Sequence, residues 1–107
     1  MIEVTYHRKY SRLTVKGHAM TAPKGEDLVC AAASILARTL AANAAQFNSE
    51  GMLKSCHIRL DDGDAEITAE PRNRYRAAVQ MALEAVIVGF EILAQGAPGV
   101  VEYTIMG

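Results

Sequence analysis

Hydrophobic and polar residues alternate along five stretches of the chain, which is the pattern of a strand with one buried face. The stretches cover residues 2–7, 12–18, 52–60, 65–70 and 100–105. Between the third and the fourth stretch lies Asp61-Asp62-Gly63-Asp64, and an Asp-Gly pair between two strands is a strong hairpin signal. The first two stretches are also separated by a short turn. The pattern therefore predicts five strands, four of them arranged as two hairpins.

Two longer segments have helical character. Residues 28–47 are rich in alanine, which favours a helix and keeps it thin enough to pack closely. Residues 74–95 carry apolar side chains on more than one stripe, and a helix of that kind is buried on two sides. Because a domain of 107 residues has only a small core of its own, we expect a partner subunit on the second side.

The predicted element order is ββαββαβ, without repeats, linkers or low-complexity segments. Hairpins dominate the strands, and two helices have to cover one face of the sheet. This order predicts an α+β fold with two layers, in which a largely antiparallel sheet is covered by two helices. At 107 residues the chain forms a single domain, residues 1–107, with enough hydrophobic residues to build a core without disulfides.

Composition narrows the classes of function. The net charge of −1 gives no general case for binding nucleic acid or a membrane surface, and no run of eighteen apolar residues occurs. The charge is uneven, with five basic residues against Glu3 in residues 1–24. The first residues alternate and lack the apolar region of a signal peptide. The two cysteines then indicate free thiols in a reducing cytoplasm.

The chemistry is concentrated between Gly17 and Ser34. His18 ends the second predicted strand, and Cys30 lies in the first turn of the first predicted helix. Residues 19–26 between them contain proline and glycine and have no apolar period, which indicates a loop. A base and a thiol on the two sides of a loop are what nucleophilic cysteine chemistry requires.

Two neighbours of this pair have open roles. Asp27 has the character of a helix N-cap, and first-turn N–H groups with the helix dipole favour a thiolate at Cys30. A carboxylate beside the sulfur would oppose that thiolate, so Asp27 either is held away from it or orients His18. Ser34 lies one turn after Cys30 on the same helix face. It either bonds the histidine or the thiol, or bonds back to the Cys30 carbonyl.

The segment Gly17-His18-Ala19, followed by Gly25-x-Asp27-Leu28-Val29-Cys30-Ala31-Ala32-x-Ser34, resembles the signature of the ribosomal-processing cysteine protease family, Prp. The resemblance implies a cysteine endopeptidase of the bacterial cytoplasm. Its members remove a short N-terminal extension from a large-subunit ribosomal protein, after consecutive aromatic residues and before a small one. They form homodimers and use no metal or organic cofactor.

On this resemblance Cys30 is the catalytic nucleophile and His18 is the general base. Asp27 and Ser34 support the pair, and Gly17 and Gly25 are the glycines at the two ends of the loop. We expect the Cys30 N–H, with a neighbour in the helix start or in the loop, to form the oxyanion hole. Loop 19–26 would act as a gate over the substrate.

Other readings of the sequence predict different behaviour. Cys56 and His57 are neighbours on a strand and point to opposite faces, so they do not chelate a metal together, and Cys56 belongs to the apolar set. The turn at Asp61 lacks the length of a calcium loop. A non-catalytic ribosome-associated binding module would dock through the basic residues 8–24. A different thiol hydrolase would act on a small ester or thioester.

Overall fold

The structure is a computed structural model, and it describes residues 1–18 and 27–107. The elements are β1 (Ile2–His7), β2 (Arg12–Gly17), α1 (Leu28–Ser49), β3 (Leu53–Asp61), β4 (Asp64–Pro71), α2 (Arg76–Gly96) and β5 (Val101–Met106). Single turns of 3₁₀ helix, Arg8–Tyr10 and Asn73–Tyr75, follow β1 and precede α2. The predicted order ββαββαβ is confirmed.

The five strands form one open sheet in the order β3-β4-β2-β1-β5. Both predicted hairpins are present, β1 with β2 and β3 with β4, and β2 also pairs antiparallel with β4. The exception is β5, which lies parallel to β1. The sheet is therefore mixed and largely antiparallel, as the sequence predicts.

Both helices cover the same face of the sheet. α1 packs on β3 and β4, α2 packs mainly on β5, and the two helices contact each other. The largest fully buried side chains come from both layers, among them Tyr6, Leu13 and Ile67 of the sheet and Leu40, Leu83 and Phe90 of the helices. The opposite face of the sheet carries the polar halves of the alternating strands. The fold is the predicted two-layer α+β arrangement.

The outer sides of the helices remain apolar. Met81, Val88 and Ile92 on α2 and Leu28 and Ile35 on α1 are exposed large hydrophobic residues. By length and composition alone both helices could cross a membrane, and core helices of proteins in water meet the same test. The second apolar stripe predicted for α2 is thus present, and no other element of this chain covers it within the described residues.

Candidate active site

The backbone that carries His18 is fixed on two sides at the end of β2. The N–H of Gly17 donates to the carbonyl oxygen of Gly63 at 2.9 Å. The amino nitrogen of Met1 donates to the carbonyl oxygen of His18 at 2.7 Å. Gly17 has a φ of +99°, and a β-carbon there would overlap the Met1 carbonyl oxygen. Only glycine allows this close approach of the two backbone segments.

The imidazole ring of His18 lies on the turn between β3 and β4. A β-carbon added to Gly63 would overlap Nε2 of the ring and would lie 2.9 Å from Cε1. Gly63 also has a positive φ of +71°, so the turn itself favours glycine. The ring therefore lies against a bare α-carbon.

Asp27 caps the helix that carries the thiol. Its Oδ1 accepts the N–H groups of Val29 at 2.9 Å and of Cys30 at 3.0 Å, and its carbonyl oxygen accepts the Ala31 N–H at 3.1 Å. Asp27 is buried, with 7% of the residue exposed. The predicted N-cap is confirmed, because these bonds satisfy the free donors of the first helical turn.

This cap changes the prediction for the oxyanion hole. The Cys30 N–H was expected to stabilise the oxyanion, but in this structure it is directed to the Asp27 carboxylate. A donor that already serves a buried carboxylate is not presented to a substrate carbonyl. The hole therefore needs another donor, or Asp27 has to release this N–H when substrate binds.

His18, Cys30 and Ser34 all line one cavity of about 80 Å³. Three residues predicted from sequence, carried by two separate elements, thus meet at a common space. Within the described part of the chain the Ser34 hydroxyl makes no hydrogen bond, whereas Thr39 on the same helix donates to the Ile35 carbonyl oxygen at 2.7 Å. The back-bond to Cys30 that was one alternative for Ser34 is not formed.

The turn between β3 and β4 is the part of the site that the sequence did not predict. Asp61, Asp62, Gly63 and Asp64 line the same cavity as the thiol. They reach it because β4 pairs with β2 in a register that puts Asp64 opposite Lys16, next to the end of β2. The hairpin was clear from sequence, but its neighbour strand was not.

Arg59 fixes this turn from the polar face of the sheet. Its Nη1 lies 2.8 Å from Asp64 Oδ2 and 3.3 Å from Asp61 Oδ2, and its Nη2 lies 3.4 Å from Glu66 Oε2. The hydrogen bond from Arg59 holds the pKa of Asp64 below its usual value. One guanidinium thus ties both strands of the hairpin together at the turn.

Cys56 has the surroundings of a structural thiol. Its Sγ lies 4.0 Å from the Ala44 carbonyl oxygen, and the residue packs against the core. Burial raises the pKa of this thiol. Among residues 1–18 and 27–107 no three His, Cys, Asp or Glu side chains are grouped for metal binding. Gly25 and the predicted gate, residues 19–26, lie outside the described residues.

Solved structures share this architecture. The SMU.848 protein of Streptococcus mutans is 27% identical, with a TM-score of 0.69 over 99% of this chain and 94% of that chain. The essential ribosomal processing protease Prp of S. aureus, solved with a covalently linked product peptide, is 18% identical. It has a TM-score of 0.69 over 98% of this chain and 99% of its own. The same protease with a substrate peptide is 17% identical, with a TM-score of 0.64 over the same shares.

The sequence comparisons give the family. No curated protein matches the chain. The profile of the family described as cysteine protease Prp matches residues 1–102, which is nearly the whole chain of 107 residues. The similarity to this family, seen first between Gly17 and Ser34, therefore extends over residues 1–102. The chain belongs to the Prp family, and it is a cysteine protease.

Proposed function

We propose that this protease removes a short N-terminal extension from a large-subunit ribosomal protein, with Cys30 as nucleophile and His18 as general base. The observation that carries the proposal is that both side chains line one cavity although they come from different elements. The S. aureus protein of the same fold is described as a ribosomal processing protease and was solved with a substrate peptide. A non-catalytic module is not favoured, because the family is one of proteases.

In the proposed reaction the Cys30 thiolate attacks the carbonyl carbon of the scissile peptide bond. The imidazolium of His18 then protonates the leaving amine as the C–N bond breaks, and a thioester remains on the enzyme. Neutral His18 next takes a proton from water, whose oxygen attacks the thioester, and the Cys30 thiolate departs, which restores the thiolate and the imidazolium. Gly63 and the two backbone bonds at Gly17 and His18 hold the base in place for both steps.

We also propose that the protein acts as a homodimer in the bacterial cytoplasm. The exposed apolar side chains of α2, Met81, Val88 and Ile92, form a surface that a second copy would cover. Light scattering after size exclusion tests this directly. The wild type should elute at twice the chain mass, and Val88→Glu should elute as a monomer. A wild-type monomer at high concentration would refute the homodimer.

Intact-mass spectrometry tests the protease reaction. The protein is mixed with a ribosomal protein whose N-terminal extension ends in aromatic residues, and Cys30→Ala, His18→Ala and Cys56→Ala are run beside it. We expect one truncation product with the wild type and with Cys56→Ala, and none with the other two. Truncation that persists in Cys30→Ala would refute the assignment of the nucleophile. Turnover of a small activated ester without any truncation of the protein would favour a different thiol hydrolase.

A further inference from the structure

Basic side chains are concentrated at one end of the sheet. β1 and β4 run in the same direction, because each pairs antiparallel with β2, so the turns that follow them lie at the same end. The Ala69 N–H in β4 donates to the carbonyl oxygen of Ser11 in the first turn at 3.0 Å, which makes the two turns neighbours. We call this surface the basic end, and it comprises Arg8, Lys9, Tyr10, Arg12, Arg72, Arg74 and Arg76.

The opposite end of the sheet is acidic and carries the proposed catalytic residues. Three aspartates of the β3–β4 turn line the catalytic cavity. Asp27, the other aspartate of the chain, caps the helix that carries Cys30. Arg12 at the start of β2 and His18 after its end are six residues apart, which is about 20 Å of strand. The net charge of −1 thus conceals a separation of charge between the two ends.

Most of the positive charge at the basic end is unpaired. Arg8 lies 3.0 Å from Glu84, and Arg12 lies 3.7 Å from Glu66. The other four cations form no ion pair within residues 1–18 and 27–107, and these are Lys9, Arg72, Arg74 and Arg76. An unpaired cation keeps its charge for a partner, so the basic end attracts a polyanion.

Neutral acceptors hold two of these guanidinium groups in place. Nε of Arg72 donates to the Gly51 carbonyl oxygen at 3.2 Å, and Nη2 of Arg76 donates to Asn73 Oδ1 at 3.2 Å. Each guanidinium has five N–H donors in a planar fork that matches the oxygens of a phosphate. Three arginines within five residues therefore suit a partner with closely spaced phosphates.

An exposed aromatic ring lies among these cations. Tyr10 is 49% exposed, and Lys9 Nζ and Arg12 Cζ lie 5.8 Å and 5.7 Å from the centre of its ring. Proteins bind single-stranded nucleic acid with this combination, because the ring stacks with a base while the cations bind the backbone. An acidic protein would use the cations without the ring. The exposed ring therefore favours a nucleic acid as the partner.

We propose that the basic end is a docking surface for single-stranded RNA, with its four unpaired cations at the phosphates and Tyr10 stacked on a base. The choice of RNA rests on the proposed substrate, because a ribosomal protein functions on RNA. The aspartates at the other end repel the same polyanion. Docking therefore turns the cavity of Cys30 away from the RNA and leaves it open to a peptide.

Fluorescence anisotropy with labelled polyuridylate tests the phosphate contacts. In a KCl series from about 50 to 200 mM, the logarithm of the binding constant should fall with log[KCl], by about 0.7 for each contact. Arg74→Gln should weaken binding and lessen this slope by about 0.7. Arg38→Gln removes the same charge from an exposed position of α1 outside the basic end and should leave the slope unchanged. Equal effects of the two variants would overturn the proposal, since net charge alone would explain them.

Substitutions of Tyr10 separate RNA from other polyanions. Tyr10→Ala should weaken polyuridylate binding about tenfold, whereas Tyr10→Phe keeps the ring and should bind within about twofold of the wild type. Heparin is a polyanion without bases, so its binding should not respond to Tyr10→Ala. Equal binding of polyuridylate by Tyr10→Ala and the wild type would overturn the proposal. Tighter binding of polyglutamate or of phosphatidylglycerol vesicles than of polyuridylate would overturn it in favour of an acidic protein or a membrane.

The docking surface and the proposed function fail in different measurements on the wild type. RNA binding is measured without substrate, and peptide cleavage is measured without RNA. Cleavage of peptide without binding of polyuridylate would refute the docking surface alone. Binding of polyuridylate without cleavage of any peptide would refute the proposed function alone.

Discussion

The α-carbon of Gly63 lies directly against the imidazole of His18. A β-carbon on Gly63 would overlap Nε2 of that ring. The turn is held next to the histidine by the bond from the Gly17 N–H to the Gly63 carbonyl oxygen and by the pairing of β2 with β4. The position of the proposed base thus depends on a hairpin that is distant in sequence.

The substitution Gly63→Ala should therefore impair catalysis. The added methyl group forces the imidazole ring to move, and a displacement of about 1 Å in a reacting group can cost a hundredfold in rate. We expect kcat to fall at least about tenfold in the peptide cleavage assay, with a smaller change in KM. Iodoacetamide labelling of Cys30 would show that the thiol itself remains accessible.

A glycine with the same backbone but no neighbour provides the control. Gly51 has a φ of +74°, and a β-carbon there would meet nothing within 4 Å. Both alanine variants carry the cost of a positive φ, about 1 kcal/mol, so their melting temperatures should fall by similar amounts. Only Gly63→Ala should lose activity. Equal losses of activity in both variants would show that the contact with His18 does not matter for catalysis.

Asp27 is expected to stabilise the fold through its cap. Asp27→Ala removes the acceptor of the Val29 and Cys30 N–H groups and should cost about 1 kcal/mol, which lowers the melting temperature of a small domain by about 4–8 °C. Asp27→Asn keeps an acceptor oxygen and should melt close to the wild type. Thermal unfolding followed by circular dichroism measures both.

The same two variants separate the open roles of Asp27. If the carboxylate only caps the helix, Asp27→Asn should cleave peptide at nearly the wild-type rate. A loss of about a hundredfold or more in kcat at wild-type stability would instead show that its charge orients or stabilises His18. If Asp27→Asn melted at as low a temperature as Asp27→Ala, the hydrogen bonds accepted in the cap would not be the main contribution of Asp27 to the stability of the fold.

The sequence predicted local features of this fold better than distant ones. Hydrophobic alternation and turn residues predicted the ends of each strand and helix to within a few residues. The Asp27 cap was also predictable, because a cap acts within one helical turn. The strand order was not visible, since the pairing of β2 with β4 joins segments about fifty residues apart. For that reason His18 and Cys30 could be named as a pair, while Gly63 could not be placed beside them. The Cys30 N–H was expected to serve the oxyanion hole, but the cap uses the same donor, because Asp27 accepts it. Which of the two acceptors takes this N–H was not visible in the sequence.

The two thiols should differ in reactivity. Burial raises the pKa of Cys56 above its ordinary value of 9.0, so its thiolate fraction at neutral pH is smaller than that of a free thiol. Cys30 lines the catalytic cavity and lies at a helix start. We expect iodoacetamide to modify Cys30 first at about pH 7, as seen by peptide mapping. In Cys30→Ala only Cys56 remains, and its labelling should be slow at neutral pH. Its labelling rate should keep rising to a higher pH than the rate of a free thiol does, because the pKa of Cys56 is raised. Faster labelling of Cys56 than of Cys30 would contradict this prediction.

The charge network at the hairpin turn should make stability depend on acid pH. Because Arg59 lowers the pKa of Asp64 below 3.8 in the folded state, the pair contributes stability above that pH, and the contribution is lost as the pH falls through the folded-state pKa. We expect Arg59→Met to melt below the wild type at about pH 6, with the difference shrinking at more acid pH. Thermal unfolding over this range measures it.

Lys54→Met is the control on the same face of the sheet. Lys54 lies 3.9 Å from Glu70, a longer and more exposed pair than the contacts of Arg59, so its loss should change the melting temperature little at any pH. A difference between wild type and Arg59→Met that stays constant from about pH 6 to below the pKa of Asp64 would show that Arg59 acts by packing. A shrinking difference would instead assign its effect to the charges of Asp61, Asp64 and Glu66, which hold the turn under His18.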